Sequence, residues 1–450
     1  MLRTDSRLVE KGDTFIAIKN VNTDGHDFIE SAIKNGATKI ICEHGSYSVE
    51  TIIVENTRKY LEDYLYKNIY PKIKDMTLIG VTGTNGKTTI CYLVYQMLNK
   101  LGIKCAYIGT IGFYHGNVKK ELNNTTPDLD ILYQMFKEAK DDDCKVIVME
   151  VSSHALEQNR IFGLEFDEVA FTNLTQDHLD FHKTFENYIN AKKKLFYKTR
   201  GKKIAVINGD DEKYKSFINP ENNNIIISKN KGDVIINETK LSNLGTNLTF
   251  TYEKSTYNVE LNMVGSYNVY NYLTSLMLVH KLGIDIKTIV DMTKDLSAPS
   301  GRMELIKYNS NSIFIDYAHT PDAVENVLTN ALNYKEGKII TIIGCGGDRD
   351  RTKRPIMGNI SLKYSDYVIF TDDNPRTEDV NQIMNDIISD LNSLNFEVIH
   401  DRGEAIKKGI SMLNEKDILM VLGKGHENYQ IVGNEKIHFS DKEEVLKNIK

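Results

Sequence analysis

The sequence predicts an α/β protein with three domains: a small α/β N-terminal domain, a central domain with a mostly parallel sheet, and a C-terminal α/β domain. Two observations support this prediction. Short apolar runs alternate with helical segments along the chain, which is typical of parallel sheets covered by helices. The 450 residues also exceed the size, about 250–300 residues, at which a single hydrophobic core stops growing. We place the domains at residues 1–75, 76–299 and 300–450.

The composition argues against nucleic-acid and membrane partners. The chain is 41% apolar and 26% charged, and its net charge of −6 provides no basic field for a nucleic acid. Its beginning has no signal-peptide pattern, and no run approaches the roughly 18 apolar residues of a membrane span. Scattered cysteines without a C-x-x-C pair are typical of thiols in a reducing compartment, so we expect a cytoplasmic protein. They are Cys42, Cys91, Cys105, Cys144 and Cys345.

The N-terminal domain is predicted from a short alternation of strands and a helix. Residues 14–18 and 39–42 are apolar runs that predict strands. Residues 28–34 predict a helix, which Asn35 and Gly36 would end. Residues 71–75, which begin with a proline, predict a linker to the next domain.

The central domain opens with a strand, a glycine-rich turn and a helix, the arrangement that binds phosphate. Residues 78–82 predict the strand, and residues 90–100 predict the helix. Glycines let backbone N–H groups approach phosphate oxygens, Lys87 would neutralise the β- and γ-phosphates, and the Thr88 hydroxyl can hold Mg²⁺. Val81 stands where the strict P-loop pattern needs glycine, so the segment is a variant of the P-loop that binds nucleoside triphosphates. A glycine-rich turn without a ligand is the alternative.

Further strands of the same sheet are predicted at residues 145–149, 168–172 and 204–207. Residues 219–256 are polar and predict antiparallel strands at the edge. A long helix is predicted from Gly265 toward Leu282. The alternation of the earlier strands with helical segments predicts that they pair in parallel.

Two side chains near these strand ends are candidate metal ligands. Glu150 ends an apolar strand beside the phosphate loop, where an acid commonly holds Mg²⁺. The alternative is the beginning of a helix, since Ser152 and Ser153 follow. His178 follows the next strand on the same side of the sheet, and the pattern alone leaves open whether it binds a metal or packs in the core.

Lys192 lies on an apolar helical face. Phe185, Tyr188, Ile189, Leu195 and Phe196 share that face at helical spacing, whereas Lys193 and Lys194 point away. A lysine on an apolar face is costly unless it is paired or neutral, and burial lowers the pKa of lysines and makes the amine reactive. A lysine that extends along the edge of the face to reach water is the alternative.

In the C-terminal domain, four apolar runs predict a Rossmann-like sheet. They are residues 313–315, 339–343, 367–370 and 418–422, and each precedes a polar loop. In open parallel sheets, ligands bind at the carboxyl ends of strands. Ordinary turns would also contain Gly, Asp, Asn and Pro. Arg349, Arg376, Lys424 and Glu427 are not turn-forming residues, so we favour a binding site.

Six segments together resemble the Mur ligases of peptidoglycan synthesis, and most closely their MurE-type, meso-diaminopimelate-adding members. The segments are residues 83–89, 150–154, 177–180, 191–192, 301–304 and 373–376. The resemblance covers nearly the whole chain in the family's order. It implies an ATP-dependent ligase in which ATP phosphorylates the C-terminal carboxylate of UDP-MurNAc-L-Ala-D-Glu. The amine of the incoming amino acid then attacks the acyl phosphate.

The resemblance also implies which residues form the sites. Lys87, Glu150, His178 and Lys192 would be catalytic, and Thr88, Glu150, His178 and Lys192 would surround Mg²⁺. Lys192 resembles the lysine that reacts with CO₂ to form a carbamate, N6-carboxylysine. The nucleotide residues would be Gly83, Thr84, Asn85, Gly86, Lys87, Thr88, Thr89, Asn268 and Arg302. Those for UDP-MurNAc-dipeptide would be Ser6, Asn124, Thr125, Thr126, Ser152, Gln158 and Arg160. Those for the amino acid would be Arg349, Asp373, Asn374, Pro375, Arg376, Gly423 and Glu427.

The form of the 373–376 loop implies meso-diaminopimelate as the added amino acid. Arg376 would grip its distal carboxylate, with Glu427 facing its ammonium group, whereas the cation of an L-lysine side chain would be repelled. Addition of L-lysine, a folylpolyglutamate synthase-like ligase and a nucleotide-driven switch are the alternatives. Family members usually carry a further segment before Asp5-Ser6-Arg7, so we expect part of the uridine pocket to be missing or built differently. We expect a monomer.

Overall fold

The computed structural model describes residues 2–19, 23–175, 177–391 and 394–449. The chain divides into two compact units, each made of discontinuous segments. The first comprises residues 1–84, 98–205 and 216–224. The second comprises residues 85–97, 206–215 and 225–450.

The first unit consists of strands and helices that alternate along the chain. Its strands are β1 (Leu2–Arg3), β2 (Thr14–Ile16), β3 (Lys39–Cys42), β4 (Glu50–Ile53), β5 (Thr77–Thr82), β6 (Cys105–Gly109), β7 (Gly112–His115), β8 (Val118–Lys120), β9 (Val146–Glu150), β10 (Phe166–Phe171) and most of β11 (Thr199–Asn208). Its helices are α1 (Ile29–Lys34), α2 (Thr57–Asn68) and α3 (Tyr70–Ile73), the last turn of α4 (Lys87–Lys100), and α5 (Leu129–Asp141), α6 (Ser153–Glu157), α7 (Leu179–His182) and α8 (Phe185–Lys193). Short 3₁₀ helices span Ser6–Leu8, Gly25–Phe28 and Lys194–Tyr197.

The N-terminal sheet has the strand order β1-β2-β3-β4, with neighbouring strands parallel. Phe15, Ile29 and Ile40 form its core. The strands and helix predicted here are confirmed. The linker predicted at residues 71–75 is wrong at its start, because α3 runs through Ile73. Pro71 lies in the first turn of this helix, where its missing N–H is not needed.

The second sheet of this unit places two strand ends beside the phosphate loop. Its order is β10-β5-β9-β6-β7-β8, and the strands from β10 to β6 are parallel. The register pairs Val81 of β5 with Glu150 of β9, and Thr82 of β5 with Phe171 of β10. The segments that follow β9 and β10 therefore flank the loop that follows β5.

In the second unit, strands and helices also follow one another along the chain. Its strands are most of β12 (Asn223–Ser228), β13 (Val234–Ser242), β14 (Gly245–Tyr252), β15 (Ser255–Leu261), β16 (Glu304–Tyr308), β17 (Asn311–Asp316), β18 (Ile339–Ile343), β19 (Tyr367–Phe370), β20 (Phe396–Val398), β21 (Ile418–Leu422), β22 (Tyr429–Val432) and β23 (Glu435–His438). Its helices are most of α4, α9 (Ser266–Lys281), α10 (Ile286–Asp291), α11 (Pro321–Leu332), α12 (Lys353–Tyr364), α13 (Val380–Ile388), α14 (Arg402–Ser411) and α15 (Asp441–Asn448). Short 3₁₀ helices span Tyr214–Phe217, which crosses the unit boundary, and Thr293–Asp295.

The predicted edge strands are partly confirmed. Strands β13, β14 and β15 pair antiparallel, as expected for the polar stretch. Strand β12 instead pairs parallel to β13, so the prediction of antiparallel strands is wrong for β12. Helix α9 agrees with the predicted long helix and is largely buried.

The C-terminal sheet has the strand order β16-β17-β21-β18-β19-β20. The four predicted strands correspond to β17, β18, β19 and β21, and their pairing is parallel. Strand β16 pairs antiparallel with β17, while β20 extends the parallel part beside β19. Strands β22 and β23 form a separate hairpin. In the described part of the chain, no helix is both long enough and apolar enough to cross a membrane.

A buried arginine holds two helices of this unit together. The side chain of Arg354 on α12 is 0% exposed, and its guanidinium pairs with Glu378 at 2.7 Å and with Asp386 of α13 at 2.8 Å. Hydrogen bonding from Arg354 lowers the pKa of Glu378 to about 2, and bonding mainly from Arg351 lowers the pKa of Asp386 to about 2.

We expect Arg354→Met to destabilise the protein by about 3–5 kcal/mol, because it leaves two carboxylates without their buried partner. Arg351→Met is the matched control. The Arg351 side chain pairs with the same carboxylates but is 53% exposed, so solvent screens its charge and its loss should cost less than the loss of Arg354. Urea unfolding measures both variants, and equal losses would contradict the assignment.

The two carboxylates also make the stability of the protein depend on pH in acid. Because folding lowers both pKa values, their contribution to stability is complete above the ordinary values of 4.5 and 3.8, and is lost as the pH falls toward 2.

Candidate active site

The phosphate-loop segment joins β5 to α4 through two glycines in left-handed conformations. Gly83 has φ +144°, and a side chain there would clash with Thr172. Gly86 has φ +88°, and a side chain there would clash with the Asn271 amide. Helix α4 begins at Lys87, so Lys87, Thr88 and Thr89 form its first turn, where backbone N–H groups favour anions.

Helix α9 contacts the residue just before this first turn. The Asn271 side chain lies against Gly86 and donates a hydrogen bond to Asn268 Oδ1 at 2.9 Å. Asn268 is buried and donates in turn to the Val264 carbonyl oxygen at 2.8 Å. Asn268, a predicted nucleotide residue, is thus fixed in place by its own helix.

Arg302, the other predicted nucleotide residue, keeps a buried donor without a partner. Its guanidinium lies 5.4 Å from the centre of the Tyr317 ring. Its Nε is buried and has no hydrogen-bond partner among the described residues. Asp316, whose charge interacts with Arg302, accepts from the Met303 and Ala318 N–H groups, and burial raises its pKa. A buried, unsatisfied arginine donor is the feature expected of an anion-binding side chain.

Glu150 is 1% exposed and lies in a set of hydrogen-bond donors. Its Oε1 accepts from the Tyr107 hydroxyl at 2.6 Å and from the Thr110 N–H at 2.9 Å. Its Oε2 accepts from the Thr110 hydroxyl at 3.1 Å. Such donors fix the orientation of the carboxylate. The helix predicted after Glu150 is also present, since Ser152 caps α6 through the Ala155 N–H.

Tyr188 gathers three of the predicted residues. The Lys192 ammonium lies 4.5 Å from its ring centre and donates to the Gly83 carbonyl oxygen at 2.8 Å. The Tyr188 hydroxyl is 3.1 Å from the Thr84 hydroxyl, and its ring centre is 6.3 Å from that of His178. Lys192 is 1% exposed, which excludes a lysine that reaches water along the edge of the helix face.

His178 is positioned differently from a core residue. Its side chain is 47% exposed, its Nε2 lies 3.3 Å from Asp177, and its backbone is left-handed with φ +52°. Its ring also contacts His154 edge-to-face, with centres 4.8 Å apart. The alternative of a core histidine is therefore wrong. Within the described ranges, no three His, Cys, Asp or Glu side chains are arranged to hold a metal by themselves.

Most residues predicted to hold the nucleotide-sugar peptide are linked by hydrogen bonds. Thr126 donates to the Glu150 carbonyl oxygen at 2.9 Å and accepts from the Ser152 N–H at 3.0 Å. Arg160 donates to the Thr126 carbonyl oxygen at 2.9 Å and to Gln158 Oε1 at 2.6 Å. Further links are Thr125 to Thr110, 3.1 Å between hydroxyls, and Arg160 to Asp128 at 3.1 Å. Asn124 is exposed beside them.

A cavity of about 590 Å³ contains Ser6 in its lining. Asp128, the partner of Arg160, lines the same cavity, as do Asp5 and Arg7. Ser6 therefore lies in the wall of the cavity that also contains Asp128, the partner of Arg160.

In the C-terminal sheet, two of the predicted loops meet through side chains. Asn374, after β19, donates to Glu427 Oε2 at 2.9 Å and accepts at Oδ1 from the Ile431 N–H at 2.9 Å. Gly423 follows β21, and a side chain there would press against Asp373 Oδ2. Asp373 is buried, and burial raises its pKa. Pro375 separates Asn374 from Arg376.

Arg376 has a left-handed backbone with φ +52°. Its N–H donates to the Ile431 carbonyl oxygen at 3.0 Å, and its own carbonyl oxygen accepts from Gly433, so hairpin β22–β23 holds this conformation. Its Nη1 donates to the Gly347 carbonyl oxygen at 2.8 Å. Arg349 is exposed in the loop after β18, and Gly346 lies next to both arginine side chains.

Several residues that the structure places in these groups were not predicted from the sequence. Tyr107 and Thr110 hold Glu150, and Tyr188 was assigned only to an apolar face. Lys424 was noted as unusual for a turn but was given no role. A hydroxyl at a strand end gives no distinct sequence pattern, so only the fold could have revealed Tyr107 and Thr110. Taken together, the glycine loop and the polar strand ends define an enzyme that uses a nucleoside triphosphate.

Comparison with known proteins places the chain in a family. Residues 1–77 match the Mur ligase family catalytic domain, residues 81–279 the Mur ligase middle domain, and residues 301–425 the Mur ligase glutamate ligase domain. The chain belongs to the Mur ligase family.

Several relatives that share one name match nearly the full length of this chain. UDP-N-acetylmuramoyl-L-alanyl-D-glutamate–2,6-diaminopimelate ligase 1 of Clostridium acetobutylicum is 42% identical, covering 100% of this chain and 94% of its own. The ligase of that name, without the number, from Clostridium botulinum is 41% identical over 99% and 94%. A solved structure of a ligase with that name superposes with a TM-score of 0.72 at 33% identity, covering 100% and 94%.

Proposed function

We propose that this protein is an ATP-dependent ligase that joins meso-2,6-diaminopimelate to UDP-N-acetylmuramoyl-L-alanyl-D-glutamate in peptidoglycan precursor synthesis. The full-length identity to relatives named for this reaction supports it. The observation that carries the choice of amino acid is the meeting of the loops after β19 and β21 through Asn374 and Glu427, next to Arg376. Together they offer both a carboxylate and a guanidinium to a diamino dicarboxylate.

The proposed roles at the nucleotide follow from each residue's position. Backbone N–H groups at residues 83–89 would bind the phosphates of ATP, and Lys87 would neutralise them. Arg302, with its unsatisfied Nε, would add a further cation for the nucleotide. Transfer of the γ-phosphoryl group to a carboxylate needs little covalent help from the protein, so positioning and neutralisation of charge are its main tasks.

The donor set around Glu150 fits magnesium. Mg²⁺ prefers oxygen ligands and usually binds one or two carboxylates together with substrate phosphates, so a cage of three protein carboxylates is not needed. Thr88, Glu150 and His178 would hold it, and when bound it neutralises charge on the transferring phosphoryl group. Tyr107 and Thr110 would hold the Glu150 carboxylate in a fixed orientation.

We further propose that Lys192 is modified by CO₂. Its neutral amine would attack the carbon of CO₂ and lose a proton, which gives a carbamate anion. The observation in favour is an amine that is 1% exposed, lies against the Tyr188 ring and reaches the carbonyl of Gly83 at the start of the phosphate loop. An anion here would support the metal.

The remaining assignments are proposals of the same kind. The group around Thr126 and Arg160, with Ser6 and the adjoining cavity, would bind UDP-MurNAc-dipeptide. Residues 1–75, 76–299 and 300–450 would serve as the domains for UDP-MurNAc-dipeptide, ATP and the amino acid. The protein would act as a cytoplasmic monomer.

Phosphate release tests the function directly. The protein is incubated with ATP, Mg²⁺ and UDP-MurNAc-L-Ala-D-Glu, and phosphate is measured with each candidate amino acid. We expect release that depends on the dipeptide substrate and on meso-diaminopimelate. Release that ignores both co-substrates would overturn the ligase, whereas stimulation by L-lysine alone would overturn only the choice of amino acid.

Arg376→Ala should raise the KM for meso-diaminopimelate by about 30-fold or more, because a charged hydrogen-bonding partner of the distal carboxylate is lost. The KM values for ATP and UDP-MurNAc-dipeptide should stay within about twofold. Arg351→Ala, an arginine outside the site, is the control. An unchanged KM for the amino acid in Arg376→Ala would remove this residue from the site.

A further inference from the structure

Lys424 is a lysine with an entirely buried side chain in the loop after β21. Its side chain is 0% exposed. Its ammonium donates to Glu427 Oε2 at 3.1 Å and to Asn374 Oδ1 at 3.2 Å, and lies 5.5 Å from the centre of the Tyr429 ring. Burying a charge is costly unless it is paired and hydrogen-bonded. The geometry therefore ties this ammonium to two side chains from different loops.

The two partners of Lys424 also contact each other. Asn374 donates to Glu427 Oε2 at 2.9 Å, so the three side chains form a closed triangle. Asn374 Oδ1 accepts from both Lys424 and the Ile431 N–H. These bonds fix the orientation of the Asn374 amide, which must present its NH₂ group to Glu427.

The triangle uses only one oxygen of Glu427. Oε2 accepts from Lys424 and Asn374, whereas Oε1 has a single long contact within the described ranges, 3.5 Å from the Tyr429 hydroxyl. A carboxylate has about four acceptor positions, so Oε1 retains capacity for a further donor. An ammonium group of a ligand would be such a donor.

We propose that Lys424 is a positioning residue for the amino-acid site, which it serves by holding Glu427 so that Oε1 faces the ammonium of the substrate. This inference rests on the proposed function and extends it to a residue that does not itself contact the substrate. Without Lys424, Glu427 loses both its anchor and its nearest cation. The carboxylate then becomes mobile and no longer presents Oε1 in a fixed direction.

The surroundings explain why one lysine can have this effect. The charges that act on this part of the domain include Asp373, Arg402 and Asp441, all buried. Arg402 is already paired with Asp441 at 2.7 Å. Among the described residues, Lys424 is therefore the cation that forms an ion pair with Glu427.

The test compares two amino acids in the full-length enzyme. 2-Aminopimelate lacks one ammonium group of meso-diaminopimelate but keeps both carboxylates. In Lys424→Met we expect the KM for meso-diaminopimelate to rise about tenfold, while that for 2-aminopimelate changes less than about twofold. If 2-aminopimelate is not turned over, its inhibition constant against meso-diaminopimelate replaces the KM. Lys407→Met, which removes an exposed lysine of α14, is the matched control.

Lys424→Gln provides a second variant should the methionine variant not fold. Glutamine keeps a donor for Asn374 without the charge, so part of the affinity should return. An unchanged or lower KM for meso-diaminopimelate would overturn the inference, as would equal rises for both amino acids, which indicate a structural role. A wild-type enzyme that ignores meso-diaminopimelate would instead overturn the proposed function, and this inference with it.

Discussion

Lys192→Ala should abolish ligase turnover, with a loss of about 1000-fold or more. The buried amine at the phosphate loop is the group that we propose to carry a carbamate, and loss of one preorganised charge in such a site typically costs about 100–1000-fold. Phosphate release with all three substrates measures the loss. Binding of ATP should be less affected than turnover.

Chemical rescue distinguishes a missing carbamate from a disrupted helix. Small carboxylic acids supplied in solution should restore part of the activity of Lys192→Ala, because they can occupy the vacated volume with a carboxylate. Lys194→Ala is the matched control, since Lys194 is exposed and pairs with Glu157. Wild-type activity in Lys192→Ala would refute the carbamate, and loss without any rescue would favour a packing role.

Glu150→Gln is expected to lower kcat by about 100-fold or more and to raise the Mg²⁺ concentration needed for activity. The change preserves shape but removes the charge proposed to face the metal. It also places an NH₂ group against donors from Tyr107 and Thr110, so a stability loss of about 1–3 kcal/mol should accompany it.

A magnesium titration of the rate and a urea unfolding curve separate these two effects. Glu157→Gln, an exposed glutamate of α6, should change neither. If Glu150→Gln kept the wild-type magnesium dependence while losing stability, Glu150 would be a structural acid rather than a metal ligand.

Much of the fold could be predicted because its strands are continuous apolar runs. Strands β18, β19 and β21 have the predicted limits. Strands β18 and β21 are buried over their whole length and β19 over all but its first residue, and each strand is followed by a Gly or Thr that begins a loop. Elements with little burial were missed or misplaced. Hairpin β22–β23 is mostly exposed, and α3 is a single turn around a proline, which a local pattern favours as a linker.

The candidate site was predictable where a residue type conflicts with its position. A lysine on an apolar face and an acid at the end of a buried strand are both recognisable in the sequence as candidates, although each also has a structural explanation. The partners of these residues could not be predicted, because Tyr107 and Thr110 lie about 40 residues before Glu150 and meet it only through the sheet register. Likewise, Asn374 and Glu427 are 53 positions apart.

The left-handed backbone of Arg376 would give the hairpin after β21 an indirect influence on the affinity for the proposed amino-acid substrate. A non-glycine residue in this conformation costs about 1–2 kcal/mol, and here two backbone hydrogen bonds from the hairpin hold it. The arginine is therefore preorganised by a segment with few buried contacts of its own. Changes in the hairpin could loosen or tighten this loop and so adjust amino-acid preference over generations, with every substrate-facing side chain left as it is.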